Sequence, residues 1–151
     1  MRSLNTGFVR TLAIYLTFVL MSGCVHLVAS YNSETQGELT KLSSDVLGFY
    51  QTLLEKPPTN RPYLASQKAY GDIETEMRVF YIKQSSVSKN QSSIDLTKGL
   101  LDRWEKHQKY HKESGKYPDG ELIADRNDFQ AIFKSLFQNE EAKKMASDSG
   151  K

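Results

Sequence analysis

The chain predicts an all-α fold, a four-helix up-down bundle behind a cleaved signal peptide, and three observations predict the bundle. Apolar residues recur at spacings of three and four through four successive segments of about 20 residues each. Turn-forming clusters separate these segments: "KPPTNRP", the serine-rich "SSVSKNQSS" and "GKYPDG". Strand signals are nearly absent. The one β-like run, "MRVFYI" at 77–82, lies inside a longer helical pattern.

Residues 1–23 read as a secretory signal. Arg2 and Arg10 supply the positive charge, Thr11 to Met21 ("TLAIYLTFVLM") the apolar stretch, and Ser22 and Gly23 the small residues before Cys24. The apolar stretch of about 11 residues is too short for a hydrocarbon core that needs about 20. The alternatives are an uncleaved anchor helix and a signal cut later, after Ala29 or Ser30. Residues 24–32, "CVHLVASYN", then form a tether to a bundle expected over 33–146.

The first helix spans about Glu34 to Glu55. Ser33 and Gln36 match a capping box, and Leu39, Leu42, Val46, Phe49, Tyr50, Leu53 and Leu54 form one stripe. Pro57 and Pro58 end it, because proline cannot continue the hydrogen-bond ladder. The second runs from about Tyr63 to Gln84, with Tyr63, Tyr70, Ile73, Met77, Phe80 and Tyr81 as its stripe. The third begins near Ile94, capped by Ser92 or Ser93. Leu96, Leu100, Leu101, Trp104 and Tyr110 mark its buried side, and Gly115 stops it. The fourth runs from about Glu121 to Lys144 behind a cap at Asp119, carrying Leu122, Ile123, Phe129, Ile132, Phe133, Leu136 and Phe137. Residues 147–151 form a tail expected to fray. Gly48, Gly71 and Gly99 fall inside helices, where close helix approach would account for them.

Charge and cysteine content narrow the function classes. The chain of 151 residues carries a formal charge of +2, but Arg2 and Arg10 precede Cys24, and removing 1–23 leaves 18 basic against 18 acidic residues. A neutral chain lacks the lysine and arginine excess that nucleic-acid binding draws on. One cysteine makes neither an internal disulfide nor a Cys-based metal cage.

The run Leu20-Met21-Ser22-Gly23-Cys24 resembles the lipobox of bacterial lipoproteins: a branched apolar residue, two small residues, then cysteine. Met21 stands where leucine is commonest; Ser22, Gly23 and Cys24 fit fully. The resemblance implies a diacylglycerol thioether on Cys24, cleavage between Gly23 and Cys24, and a further acyl chain on the new amino terminus. Val25, in place of an aspartate after the cysteine, implies export to the outer membrane. Within the mature chain, Ser30-Tyr31-Asn32, the pair Leu39-Thr40 and the run Glu141-Ala142-Lys143-Lys144 are similar to those of a family of small bacterial lipoproteins. That likeness implies an all-helical fold and brings no activity with it.

Few residues suggest chemistry. His107 and His111 are four apart and share a helix face, as a metal pair requires. They lack a third ligand at zinc-motif spacing, and with Lys106, Gln108, Lys109 and Lys112 around them they read as a solvated basic face. The run Lys106, Lys109, Lys112 and Lys116 offers charge to anionic headgroups, against a balanced surface face as the plainer reading. Tyr63, Tyr110 and Tyr117 lie near helix ends or in a loop, placed for a core or a partner rim. No serine elbow or phosphate-cradling glycine loop occurs. The expectation is a monomeric, non-enzymatic envelope lipoprotein without cofactor or nucleic acid, its helical domain facing the periplasm to contact other envelope components. A lipid-like-ligand module and an exclusion or immunity lipoprotein of a mobile element are the alternatives.

Overall fold

The computed structural model describes residues 29–149. Four helices follow one another: α1 (Ser33–Leu54), α2 (Tyr63–Ser86), α3 (Gln91–Ser114) and α4 (Asp119–Ser149), with a 3-10 turn at Pro58–Asn60. Each packs on its neighbours in sequence, and α4 closes the ring onto α1. Short connections force adjacent helices antiparallel, so the up-down bundle follows from loop length as well as periodicity. Among the described residues no strand forms, and "MRVFYI" is helical within α2.

The helical stripes meet in one core. α1 contributes Leu39, Leu42, Val46, Phe49, Tyr50 and Leu53; α2 adds Tyr70, Ile73, Met77 and Phe80; α3 adds Leu100, Leu101 and Trp104; α4 adds Leu122, Phe129, Phe133 and Leu136. Burying each such side chain contributes about 1.5–3 kcal/mol. Phe49 sits at the centre, its ring 4.6–5.4 Å from those of Tyr50, Tyr70 and Trp104 in edge-to-face contacts, the geometry the ring quadrupole favours.

The second helix starts at Tyr63 as predicted, and the other three starts differ, each for a local reason. Asn32, not Ser33, caps α1: its Oδ1 accepts the Glu34 N–H at 2.9 Å and its carbonyl accepts that of Gln36. Asparagine caps as well as serine and stands one residue earlier. α3 starts at Gln91 because Asn90 pins the preceding turn, donating from Nδ2 to both the carbonyl and the side-chain oxygen of Gln84 at 2.9 Å. Lys89 takes φ 59° in that turn, a left-handed value that costs a residue with a Cβ. The serine-rich linker therefore shrinks to residues 87–90, and Ser92 and Ser93 lie inside the helix. Asp119 is the first residue of α4 rather than its cap. Gly115 does end α3, at φ 62° with its N–H on the His111 carbonyl.

The chain ends also depart from expectation. Of the predicted tether, residues 29–32 are docked: Ala29 is buried, its N–H donates to the Lys89 carbonyl at 3.2 Å, and the Tyr31 N–H donates to Ser147 Oγ at 3.4 Å. Ser147 thus belongs to α4, which continues to Ser149 instead of fraying after 146. Residues 1–28, which hold the predicted signal, Gly23 and Cys24, lie outside the described residues. The interior glycines do not mark close helix approach, since a Cβ on Gly48, Gly71 or Gly99 would meet nothing within 4 Å.

Candidate functional site

The bundle has two unlike ends. At the Ala29 end, α2 and α4 finish and α1 and α3 begin; at the far end the roles reverse. Polar side chains are buried at both.

At the far end, successive turns of α3 point Trp104, His107 and His111 inward. The Trp104 indole N–H donates to the Tyr70 carbonyl at 3.1 Å. His111 Nε2 lies 2.8 Å from the Arg61 carbonyl, which only accepts, so that nitrogen carries the proton and Nδ1 accepts from the Tyr70 hydroxyl at 3.2 Å. His107 Nδ1 is 3.1 Å from the Tyr50 hydroxyl and 3.3 Å from Asp125 Oδ2. Tyr117, in the α3–α4 loop, donates its hydroxyl to the same Asp125 oxygen. Arg61 locks the end: its Nε donates to the Lys56 carbonyl and its Nη1 to the Tyr117 carbonyl, both at 2.9 Å, and Nη1 meets Asp119 at 2.6 Å. The guanidinium thereby occupies the Leu54 and Lys56 carbonyls at the end of α1, which no intrahelical donor reaches.

Burial sets the charge states here. Burial, helped by the Arg103 guanidinium, pushes His107 down to about 4. His111 is lowered by burial, and Asp125 is raised by it. The tyrosine hydroxyls Tyr50, Tyr70 and Tyr117 are pushed upward by the same desolvation. The cluster is therefore a network of neutral histidines and phenols around one carboxyl, suited to fixing ring orientation and register.

At the Ala29 end, Lys143 donates to Glu140 at 2.6 Å and to Ser93 Oγ at 2.7 Å, with both charged side chains almost fully buried. Asn139 donates to the same Ser93 oxygen at 2.6 Å, and the serine hydroxyl donates on to Glu140 at 3.3 Å.

The main clefts lie on the surface. One of about 340 Å³ runs between α1 and α2 over Leu42 and Phe80. Another of about 410 Å³ runs between α1 and α4 over Phe133. Two more are at the far end: about 490 Å³ beside Tyr63 and Lys112, and about 370 Å³ between Pro58 and Pro118. None of the four is lined by Tyr50, His107, His111 or Asp125.

The predicted site residues separate accordingly. Gly23 and Cys24 lie outside the described residues. The solvated face assigned to His107 and His111 is overturned: they are 5% and 0% exposed. Their ring nitrogens go to separate tyrosines rather than to a common point, and among the described residues no three His, Cys, Asp or Glu side chains group to hold a metal ion. Lys106, Lys109, Lys112 and Lys116 do remain exposed on the outer side of α3 and its loop. Of the three rim tyrosines, Tyr117 is fully buried, Tyr63 half-buried and Tyr110 exposed. No protein family, curated protein or solved structure matches this chain.

Sequence reasoning passed over Arg61 and Asp125, took Ser93 for a helix cap, Glu140 for a surface carboxylate and Lys143 only for part of a family-like run, and expected none of them to be buried. The histidines had a legible signal: 100, 104, 107 and 111 continue one helical stripe at spacings of three and four. Arg61 and Tyr117 sit in loops, where periodicity gives no sign of burial.

Proposed function

We propose that this chain is a lipid-anchored envelope protein of the outer membrane whose helical bundle serves as a structural or interaction domain on the periplasmic side. The observation that carries the reading is Leu20-Met21-Ser22-Gly23-Cys24 behind a charged and then apolar leader. Each buried methylene of an acyl chain contributes about 0.8 kcal/mol, so two or three chains on one residue make attachment nearly permanent. No described helix is long and apolar enough to cross a membrane.

Two features of the fold favour an interaction role over a ligand-holding one. Aromatic side chains fill the bundle interior, and the main clefts are on the surface. Five peptide steps separate Cys24 from the docked Ala29, a reach of at most about 17 Å. The anchor would therefore hold the Ala29 end near the bilayer and present the far end, a helix length of about 33 Å away.

Metabolic labelling with an alkyne fatty acid tests the reading. Wild type should label and sediment with membranes, and Cys24→Ser should do neither. A cleaved Cys24→Ser protein that still sediments with membranes would overturn it.

A further inference from the structure

We propose that the far end of the bundle docks an acidic, extended peptide segment of a partner protein, held by Lys109, Lys112 and Lys116 beside Tyr63. This names the partner surface of the interaction role proposed above, and rests on that reading only for which end faces outward.

The first observation is an imbalance in charge pairing. Along the body of the bundle, Lys41, Lys68, Arg78, Lys98 and Arg103 each hold a carboxylate at 2.5–2.8 Å, and Lys83 is paired with Glu38. Among the described residues, exposed Lys106, Lys112 and Lys116 have no carboxylate partner, and Lys109 has only Glu113 at 3.9 Å. Of the acidic groups nearby, Glu105 is paired with Arg78 and Asp119 with the buried Arg61, and Glu113 reaches only Lys109. The far end thus presents positive charge that the fold does not neutralise. Lys134 and Lys144, likewise without a carboxylate, stand singly on α4.

The second observation is shape. Two clefts lie at the far end, one lined by Tyr63 and the other by its chain neighbour Pro62. One is lined by Tyr63, Lys109 and Lys112 together with Glu105, already held by Arg78, and Glu113; the other is walled by Pro58, Pro62 and Pro118 with Lys116 at its edge. Lys112 Nζ already lies 6.0 Å from the Tyr63 ring centroid, within cation–π range, so its ammonium is held over the cleft. Prolines and a packed tyrosine lose little freedom on binding, which favours contact with an extended chain. A bilayer of anionic headgroups would meet the lysines but could not enter two clefts. Carboxylates on a peptide satisfy both features, and complementary charge governs such encounters chiefly through rate and salt dependence.

Nuclear magnetic resonance titration of the full chain in zwitterionic detergent, with decaglutamate as probe, tests this without reference to the anchor. Shifts should be confined to Tyr63, residues 109–116 and their neighbours, and should fade with added salt. Lys112→Glu/Lys116→Glu, checked for unchanged helicity, should weaken binding about tenfold, while Lys134→Glu/Lys144→Glu should leave it within about twofold. Absence of binding, shifts centred elsewhere, or equal weakening by both pairs would overturn the proposal. Binding of dihexanoyl phosphatidylglycerol through the same lysines in preference to decaglutamate would assign the surface to lipid instead. Failure here leaves the Cys24→Ser result untouched, so the two readings fail separately.

Discussion

The Tyr50 hydroxyl and His107 Nδ1 lie 3.1 Å apart inside the bundle, and Asp125 approaches the same nitrogen to 3.3 Å. This contact joins α1, α3 and α4 through groups that could each carry charge in water. The fold keeps the imidazole neutral, and that choice has a measurable cost in acid.

His107 binds its proton near pH 4 in the folded chain and near the ordinary histidine value of about 6.5 when unfolded. Between those values the unfolded state holds more protons, so stability falls as pH drops through the window, by up to about 1.4 kcal/mol per pH unit. His111, lowered by burial, works in the same direction; Asp125, raised by burial, opposes them toward the acid end. The melting temperature is expected to fall between pH 7 and pH 4, and to fall less steeply in His107→Gln. Parallel curves for the two proteins would remove His107 as the source.

The Glu140–Lys143 pair predicts a strong non-additivity. Lys143→Met alone leaves a buried carboxylate without its cation and should cost about 3–5 kcal/mol in urea unfolding. Glu140→Leu combined with Lys143→Met should cost far less, because neither charge is then buried. Equal costs for the single and double variants would show that the pair matters only through packing.

Phe133 is 2% exposed, whereas Phe137 is only partly buried. Truncating Phe133 to Ala should therefore cost about 3–5 kcal/mol, and Phe137→Ala distinctly less. Chemical denaturation that ranks them the other way would place the α4 stripe in a different rotation.

Gly48 and Gly71 stand in open space on the outer faces of α1 and α2. Gly48→Ala and Gly71→Ala should each raise stability by about 0.5–1 kcal/mol, since alanine restricts the unfolded chain and meets no obstacle. The gains should add, because the two sites lie on different helices and share no partner. A loss at either position would reveal a neighbour that the isolated bundle does not show.

Helix count and most of the core were legible because Leu39 through Leu53, Tyr70 through Phe80 and Phe129 through Leu136 repeat at a period tied directly to burial. Polar burial was not legible in the same way. His107 and His111 continue the α3 stripe, but flanking lysines on other faces of the helix made the segment look solvated. Tyr110 illustrates the converse: it lies one residue before His111 and points outward, so a shift of 100° around the axis exchanged an aromatic for an imidazole in the core. Lys143 reads as surface in any single window, and its partner Ser93 is 50 residues away, beyond any local pattern.

The docking of Ala29 against Lys89 and of Tyr31 against Ser147 has a consequence for handling the molecule. An even number of antiparallel helices returns the backbone to the side from which it set out, so Ala29 and Ser149 lie at the same end of the bundle. A reporter fused behind α4 would share that side with any group attached ahead of Ala29. A short epitope inserted at the exposed Thr59, away from the buried Tyr117, would instead stand clear of it by the height of a helix, where an antibody or protease could approach.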